Sequence, residues 1–340
     1  MHRIKVITYK FLINILLRLP DAFYAILFAV VFPIYKALHK QRAYGRVEKH
    51  LAAAKEYAAK AYAKEIAQEM RAAPYNDAAL FTVTPRDTFR GIFWNALESY
   101  RGLARFKNIE KQIVFENEHI IRDAIAQCAS ANAPITAISI HQGAFELMHR
   151  NLCRYSKHVH LITDSIGAPA FRDILKELRS DPHLTEYHPD KTGRLIRELF
   201  RTKGILAMVV DQGKNTKGNE VTLFGRPSTL YLRLPQKVNE MGAGIVTFRT
   251  WTEYENSQKR DSHRRQKRIV IRFETYYSPQ YDVTHKPPQI SPDDKNARST
   301  SESPLVTAIA REIETWIADH PEQWSWNYHG NFIKFISKTI

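Results

Sequence analysis

The chain has 340 residues, 44% of them hydrophobic and 25% charged, which is room for one large domain or two ordinary ones around a sizeable core. This excludes a disordered chain, a collagen-like chain and a disulfide scaffold; the two cysteines, Cys128 and Cys153, form no Cys-x-x-Cys pair, which argues against a zinc finger and for a reducing compartment. Fifty Lys and Arg against 35 Asp and Glu give a formal charge of +15, a surface suited to nucleic acid, an anionic membrane, a phosphorylated lipid or an acidic protein.

From Ile4 to Leu38 the chain is mostly apolar. Its longest uncharged run, Ala22 to Tyr35, has 14 residues, short of the roughly 18 expected of a clean span. Aromatic residues persist to Tyr35 and no small-residue cleavage site follows, so the segment reads as an uncleaved anchor rather than a secretory signal. It is either one tilted span or two short interfacial helices, with a buried core helix as the alternative. Lys36, Lys40, Arg42, Arg46 and Lys49 follow, a basic cluster that fits the positive-inside rule and places the body in the cytoplasm. Residues 1–40 are therefore taken as anchor, 41–110 as a helical segment and 111–335 as an α/β domain.

Residues 46–71, rich in Ala, Lys and Glu, predict a helix ended by Pro74, and Thr84-Pro-Arg-Asp starts another. Then strands alternate with helices. Strands are predicted at 113–116, 135–140, 159–163, 205–210, 245–250 and 269–273. Helices are predicted at 118–130, from about Ala144, and at 170–179, 194–202 and 305–319. The pattern predicts an α/β fold with a central, mostly parallel sheet covered by helices, whose chemistry lies beyond the carboxyl ends of the strands. Residues 258–268 carry six Lys and Arg between two strands, read as an exposed hairpin loop that is either a solvated charge run or a dock for anionic lipid or an acidic carrier. The loop has no interleaved aromatic residues, which argues against nucleic acid.

His141 follows the strand Ile135–Ile140, and Glu146 lies five residues later. On a continuous helix they would sit about 140° apart, so they meet only if the chain turns, and Gly143 supplies a turn. A carboxylate on one imidazole nitrogen fixes the tautomer and makes the other a better base, able to deprotonate an incoming hydroxyl. The competing reading is a capping Glu beside an ordinary surface His. Metal binding by His141, Glu146 and His149 lacks His-Glu-x-x-His spacing. Gly-x-Ser-x-Gly is absent, and Gly213-x4-Gly218 continues into Asn219-Glu220 rather than the Lys-Ser/Thr of a phosphate loop.

The order of segments resembles the bacterial lipid A biosynthesis acyltransferases (lauroyl/myristoyl transferases), within the wider lysophospholipid acyltransferase group. His141 and Glu146 match the family's His-x4-Asp/Glu motif, with Gly143 two after the His. Asp211-Gln212 matches its strand ending in Asp-Gln, Phe224-Gly225-Arg226-Pro227 its Phe-Gly-x-Pro, and 321–326 (Pro-Glu-Gln-Trp-Ser-Trp) its Pro-Glu-Gln-Trp-x-Trp. Residues 168–173 match Asn-Pro-x-x-Asp-Arg only in part, though Arg179 falls where the family keeps an Arg. Residues 327–331 depart from the family's His-Arg-Arg, and 50–110 lack its Asn-Leu-x-x-x-Phe-Pro. The resemblance implies transfer of a fatty acyl chain from an acyl carrier protein thioester, or acyl-CoA, to a hydroxyl of a phosphorylated glycolipid, with no other cofactor and no metal. It implies His141 and Glu146 as catalytic residues and Arg179, Asp211, Gln212, Gly225 and Arg226 as substrate-binding. The alternatives are acylation of a lysophospholipid or another glycolipid, and a non-catalytic membrane-surface binding protein.

Overall fold

A computed structural model describes residues 11, 13, 15–39, 43–67, 77–163, 169–212, 217–255, 266–279 and 303–326. Ahead of the sheet the described residues include the helices α1 (Asp21–His39), α2 (Gly45–Ala67), α3 (Asp77–Thr82) and α4 (Pro85–Ala104). The start of α4 is written in the sequence. Pro85 occupies the first turn, and Thr84 and Asp87 cap each other reciprocally, satisfying backbone N–H groups that the helix itself leaves orphaned.

The α/β body follows as α5 (Phe106–Ile109), β1 (Ile113–Glu116), α6 (Glu118–Ser130), β2 (Ile135–Ser139), α7 (Met148–Leu152), β3 (Val159–Ile162) and α8 (Pro169–Arg179). It continues through β4 (Leu184–Tyr187), α9 (Thr192–Thr202), β5 (Ile205–Val209), β6 (Asn219–Leu223), β7 (Arg226–Leu230) and α10 (Arg233–Glu240). Two long strands, β8 (Gly244–Glu255) and β9 (Gln266–Tyr277), precede α11 (Pro304–Asp319). Seven strands form one sheet in the order β1-β9-β8-β2-β5-β3-β4. Every pairing is parallel except β8 with β9. The predicted mostly parallel α/β sheet, with an apolar helix near the N-terminus, is what forms.

β2 is buried along its whole length because both of its faces are covered. Ile138 and Ile140 share one core with Leu206 and Met208 of β5, Leu51 of α2, Leu195 of α9 and Ile313 of α11. Ile135 and Ala137 face a second core with Ile205 and Ala207, Ile121 of α6 and Leu152 of α7. The first core also takes in Val47, Leu80 and Phe89, so the helices of 41–110 bury against the same sheet as the rest of the body.

Three expectations change. The helix expected from Ala144 is a 3-10 turn, Phe145–Leu147, followed by the short α7, because the left-handed turn at Gly143 is tied to neighbouring segments before any helix can propagate. The strands expected at 245–250 and 269–273 are twelve-residue arms of an antiparallel hairpin, paired as far as Glu255 opposite Gln266. Lys267 and Arg268 therefore belong to β9 rather than to an exposed loop. Lys267 is partly buried and pairs with the buried Glu98 of α4, and burial pushes its ammonium down to about 8. The rest of the basic loop, 258–265, lies outside the described residues, as do Ala168, Pro74 and 327–331.

Candidate active site

β2 and β5 run side by side and parallel, with Ser139 opposite Val209. Two residues further along each chain, the same register puts His141 opposite Asp211. The imidazole Nδ1–H donates to Asp211 Oδ1 at 2.7 Å, and the His141 backbone N–H donates to Asp211 Oδ2 at 3.1 Å. Trp324 donates its indole N–H to the same Oδ2 at 3.1 Å. Asp211 is closed off from solvent while the His141 side chain keeps 17% of its surface exposed. A carboxylate at Nδ1 fixes the tautomer that carries its lone pair on Nε2. The edge of Phe145 lies against the imidazole, ring centroids 4.5 Å apart, and limits its rotation.

Glu146 was expected to be the orienting carboxylate at His141. Its two oxygens instead accept from Arg179, Nε to Oε2 at 2.8 Å and Nη2 to Oε1 at 2.5 Å, while Nη1 of Arg179 donates to Thr163 at 3.2 Å. Burial alone would raise the Glu146 carboxyl, but the Arg179 charge and hydrogen bonds outweigh it and hold the group below the usual carboxylate range. Arg179, expected at substrate, thus spends its guanidinium on the protein, and its pair with Glu146 braces the turn that follows His141. His149, beside Glu146, is pushed down to about 4 by burial and so is neutral at physiological pH.

Arg179→Ala leaves Glu146 buried without its cation. We expect a loss of about 3–5 kcal/mol of stability, read from denaturant or thermal unfolding near pH 7. Because the folded carboxyl ionises below its ordinary value, the pair stabilises fully above about pH 4.3 and loses that contribution only as the pH falls further. The difference between wild type and Arg179→Ala should therefore shrink in acid.

Gly143 was expected to make the turn, and it does so at φ +57°. A Cβ there would come within 2.5 Å of the Thr250 carbonyl oxygen, so the left-handed conformation and the close approach to β8 both demand glycine. Its N–H donates to the Gln323 carbonyl, and Gln142 bridges to Trp324. Gln323 clamps the Thr252 backbone through both ends of its amide, and its carbonyl also accepts from Asn95 at 2.6 Å. The 321–326 segment is therefore a buckle across the end of β2. In the sequence it stood out only as a match to the family's Pro-Glu-Gln-Trp-x-Trp motif, with no role attached.

Trp324→Phe keeps the ring and removes the N–H to Asp211. Turnover should fall roughly tenfold, equivalent to about 1.4 kcal/mol, with little change in KM, as steady-state kinetics will read.

Gln212 follows Asp211, and its amide nitrogen is buried with no hydrogen-bond partner among the described residues. Gly225 and Arg226 belong to the β6–β7 hairpin. Phe224 and Gly225, both at positive φ, turn the tight β6–β7 hairpin, and a Cβ on Gly225 would strike the Tyr57 ring of α2. The charge of Arg226 acts on His50 and Glu56 of α2. The nearest described link between this corner and the site runs through Trp326, which packs on Phe224 and against Trp324.

Residues 88–329, more than two-thirds of the chain, match the family described as Bacterial lipid A biosynthesis acyltransferase. The chain belongs to the bacterial lipid A biosynthesis acyltransferase family. No curated protein matches it. The match spans His141, Asp211 and Trp324 together, so the constellation built by the sheet register lies wholly inside the acyltransferase region. Membership makes the protein an acyltransferase, and it begins after α1, which leaves the apolar N-terminal helix outside the matched residues.

Proposed function

We propose that this acyltransferase is membrane-bound and moves a fatty acyl chain from an acyl carrier protein thioester to a lipid hydroxyl during lipid A assembly. The observation that carries the reading is the imidazole of His141, oriented by Asp211 at the carboxyl edge of β2 and β5 and open to solvent on its other side. Nε2 of His141 takes the proton of the acceptor hydroxyl as its oxygen attacks the thioester carbonyl. The C–S bond then breaks, the carrier thiolate leaves, and the imidazolium returns the proton to it. A thioester is activated enough that no enzyme nucleophile is required, consistent with the absence of Gly-x-Ser-x-Gly. The formal charge of +15 favours an acidic carrier and a phosphorylated acceptor.

Asp211, rather than Glu146, is the positioning carboxylate in this scheme, and Glu146 with Arg179 supports the loop beneath it. The test is mass spectrometry of total lipid from cells lacking the protein, paired with transfer assays using acyl carrier protein and CoA thioesters. A lipid A precursor lighter by one acyl group, restored by the wild-type protein and not by His141→Ala, is the expected result. A shortfall in phospholipid with intact lipid A would overturn the acceptor, and CoA thioesters used in preference to the carrier would overturn the donor.

A further inference from the structure

The helix α1 has two different apolar faces. Tyr24 and Phe32 are buried at 5% and 9% exposure, and Phe28 and Tyr35 are packed partly beside them. This aromatic stripe lies along α4. Tyr24 meets Phe93 and Trp94, Phe28 meets Phe93, and Phe32 and Tyr35 meet Phe89, with ring centroids 5.5–6.5 Å apart. The partners run backwards along α4 as they run forwards along α1, so the two helices are antiparallel and in contact over roughly 17 Å. The other face is aliphatic and open: Ile26 66%, Val30 60%, Ile34 58% and Leu38 74% exposed, at four-residue spacing.

The residues that hold α1 are unsuited to hydrocarbon. Arg101 of α4 bonds Asp21 and the Leu19 carbonyl and lies over the Tyr24 ring at 4.7 Å. One turn back, Glu98 is buried against Lys267 of β9, and Arg86 and Arg90 stand exposed near the other end of α4. A transmembrane α1 would carry this helix and a corner of the sheet into the bilayer with it, against the strong penalty for charge there.

We infer that α1 is an in-plane helix: it lies flat in the headgroup region of an anionic bilayer, aliphatic face down and aromatic face clamped to the body. The chemistry of the surround fits that occupant, because exposed Arg18 stands just before the helix and exposed Arg86 and Arg90 stand on either side of Phe89, near its far end, cations suited to lipid phosphates. Phe11, Ile15 and Leu16, also exposed, extend the apolar strip toward the N-terminus. The inference rests on the membrane-bound reading above and fixes its geometry: the bilayer is a platform beneath the protein rather than a medium it crosses.

The test uses the full chain with Cys128→Ala and Cys153→Ala, carrying one new cysteine at Phe23, Ile26, Val30, Ile34 or Leu38, each labelled with an environment-sensitive dye. The labelled proteins are bound to vesicles of phosphatidylcholine and phosphatidylglycerol with nitroxides placed shallow or deep on the acyl chain. Since all five positions are already exposed, the labels disturb no packing, and unchanged melting confirms it. An in-plane helix gives stronger quenching by the shallow nitroxide at Ile26, Val30 and Ile34, in nearly constant ratio. Deep quenching that peaks at Val30 and falls toward Phe23 and Leu38 means a spanning helix and overturns the inference while keeping the membrane. Absence of quenching at every position means that a protein surface or a second copy covers the face, and overturns the membrane reading itself.

Discussion

His141→Ala should lower kcat by roughly 10²–10⁴-fold, the range for losing a general base, with the melting transition little changed. The imidazole is partly exposed at a strand end, so its removal leaves no large cavity. Residual transfer should persist, because the thioester is intrinsically reactive and binding still brings the two substrates together. Activity within about threefold of wild type in a carrier-thioester assay, under conditions where chemistry limits the rate, would remove His141 from the mechanism.

Asp211→Asn should cost nearly as much, roughly 10²–10⁴-fold in kcat, although it alters no atom that touches substrate. The amide fits the same space. Its Oδ1 can still accept from the His141 backbone and from the Trp324 indole, which turns its NH₂ toward Nδ1 of the imidazole. The ring then carries its proton on Nε2, the nitrogen that has to accept one. Glu146→Gln should behave differently, because it loses the charge that Arg179 balances and should show mainly in stability. Equal kinetic losses for Asp211→Asn and Glu146→Gln, both with intact folds, would restore Glu146 as an equal partner of the imidazole.

The contrast between these two carboxylates shows what a sequence conveys. The His141-x4-Glu146 pair is visible because the residues are near each other in the chain, and the strand before it is marked by β-branched residues and Pro134. Ending a second buried strand at Asp211 was enough to place that residue at the same edge. What could not be read was that β2 and β5 are immediate neighbours in flush register, since strand order is set by non-local packing. Helix α6 and strand β1 formed where the pattern put them, because each is amphipathic or half-buried by itself. The β6–β7 hairpin was missed for the opposite reason. Its two-residue turn places Phe224 at φ +49°, an unusual residue for that conformation, and it is held by Glu314 accepting the Phe224 N–H at 2.6 Å and by packing on Trp326. Likewise Lys267 reads as one more cation in a basic run until β9 turns it toward Glu98.

The three groups that meet at the Asp211 carboxylate are far apart in the chain: 70 residues separate His141 from Asp211, and a further 113 separate Asp211 from Trp324. A ribosome adding about 5–20 residues per second needs roughly 10–40 s to pass from the first to the last. Throughout that interval the growing polypeptide already displays α1 but has no complete acyl-transfer centre. A chain interrupted before the closing tryptophans would keep most of the sheet and still lack the indole that steadies Asp211, so the full set of contacts at that carboxylate forms only after residues 321–326 have been added.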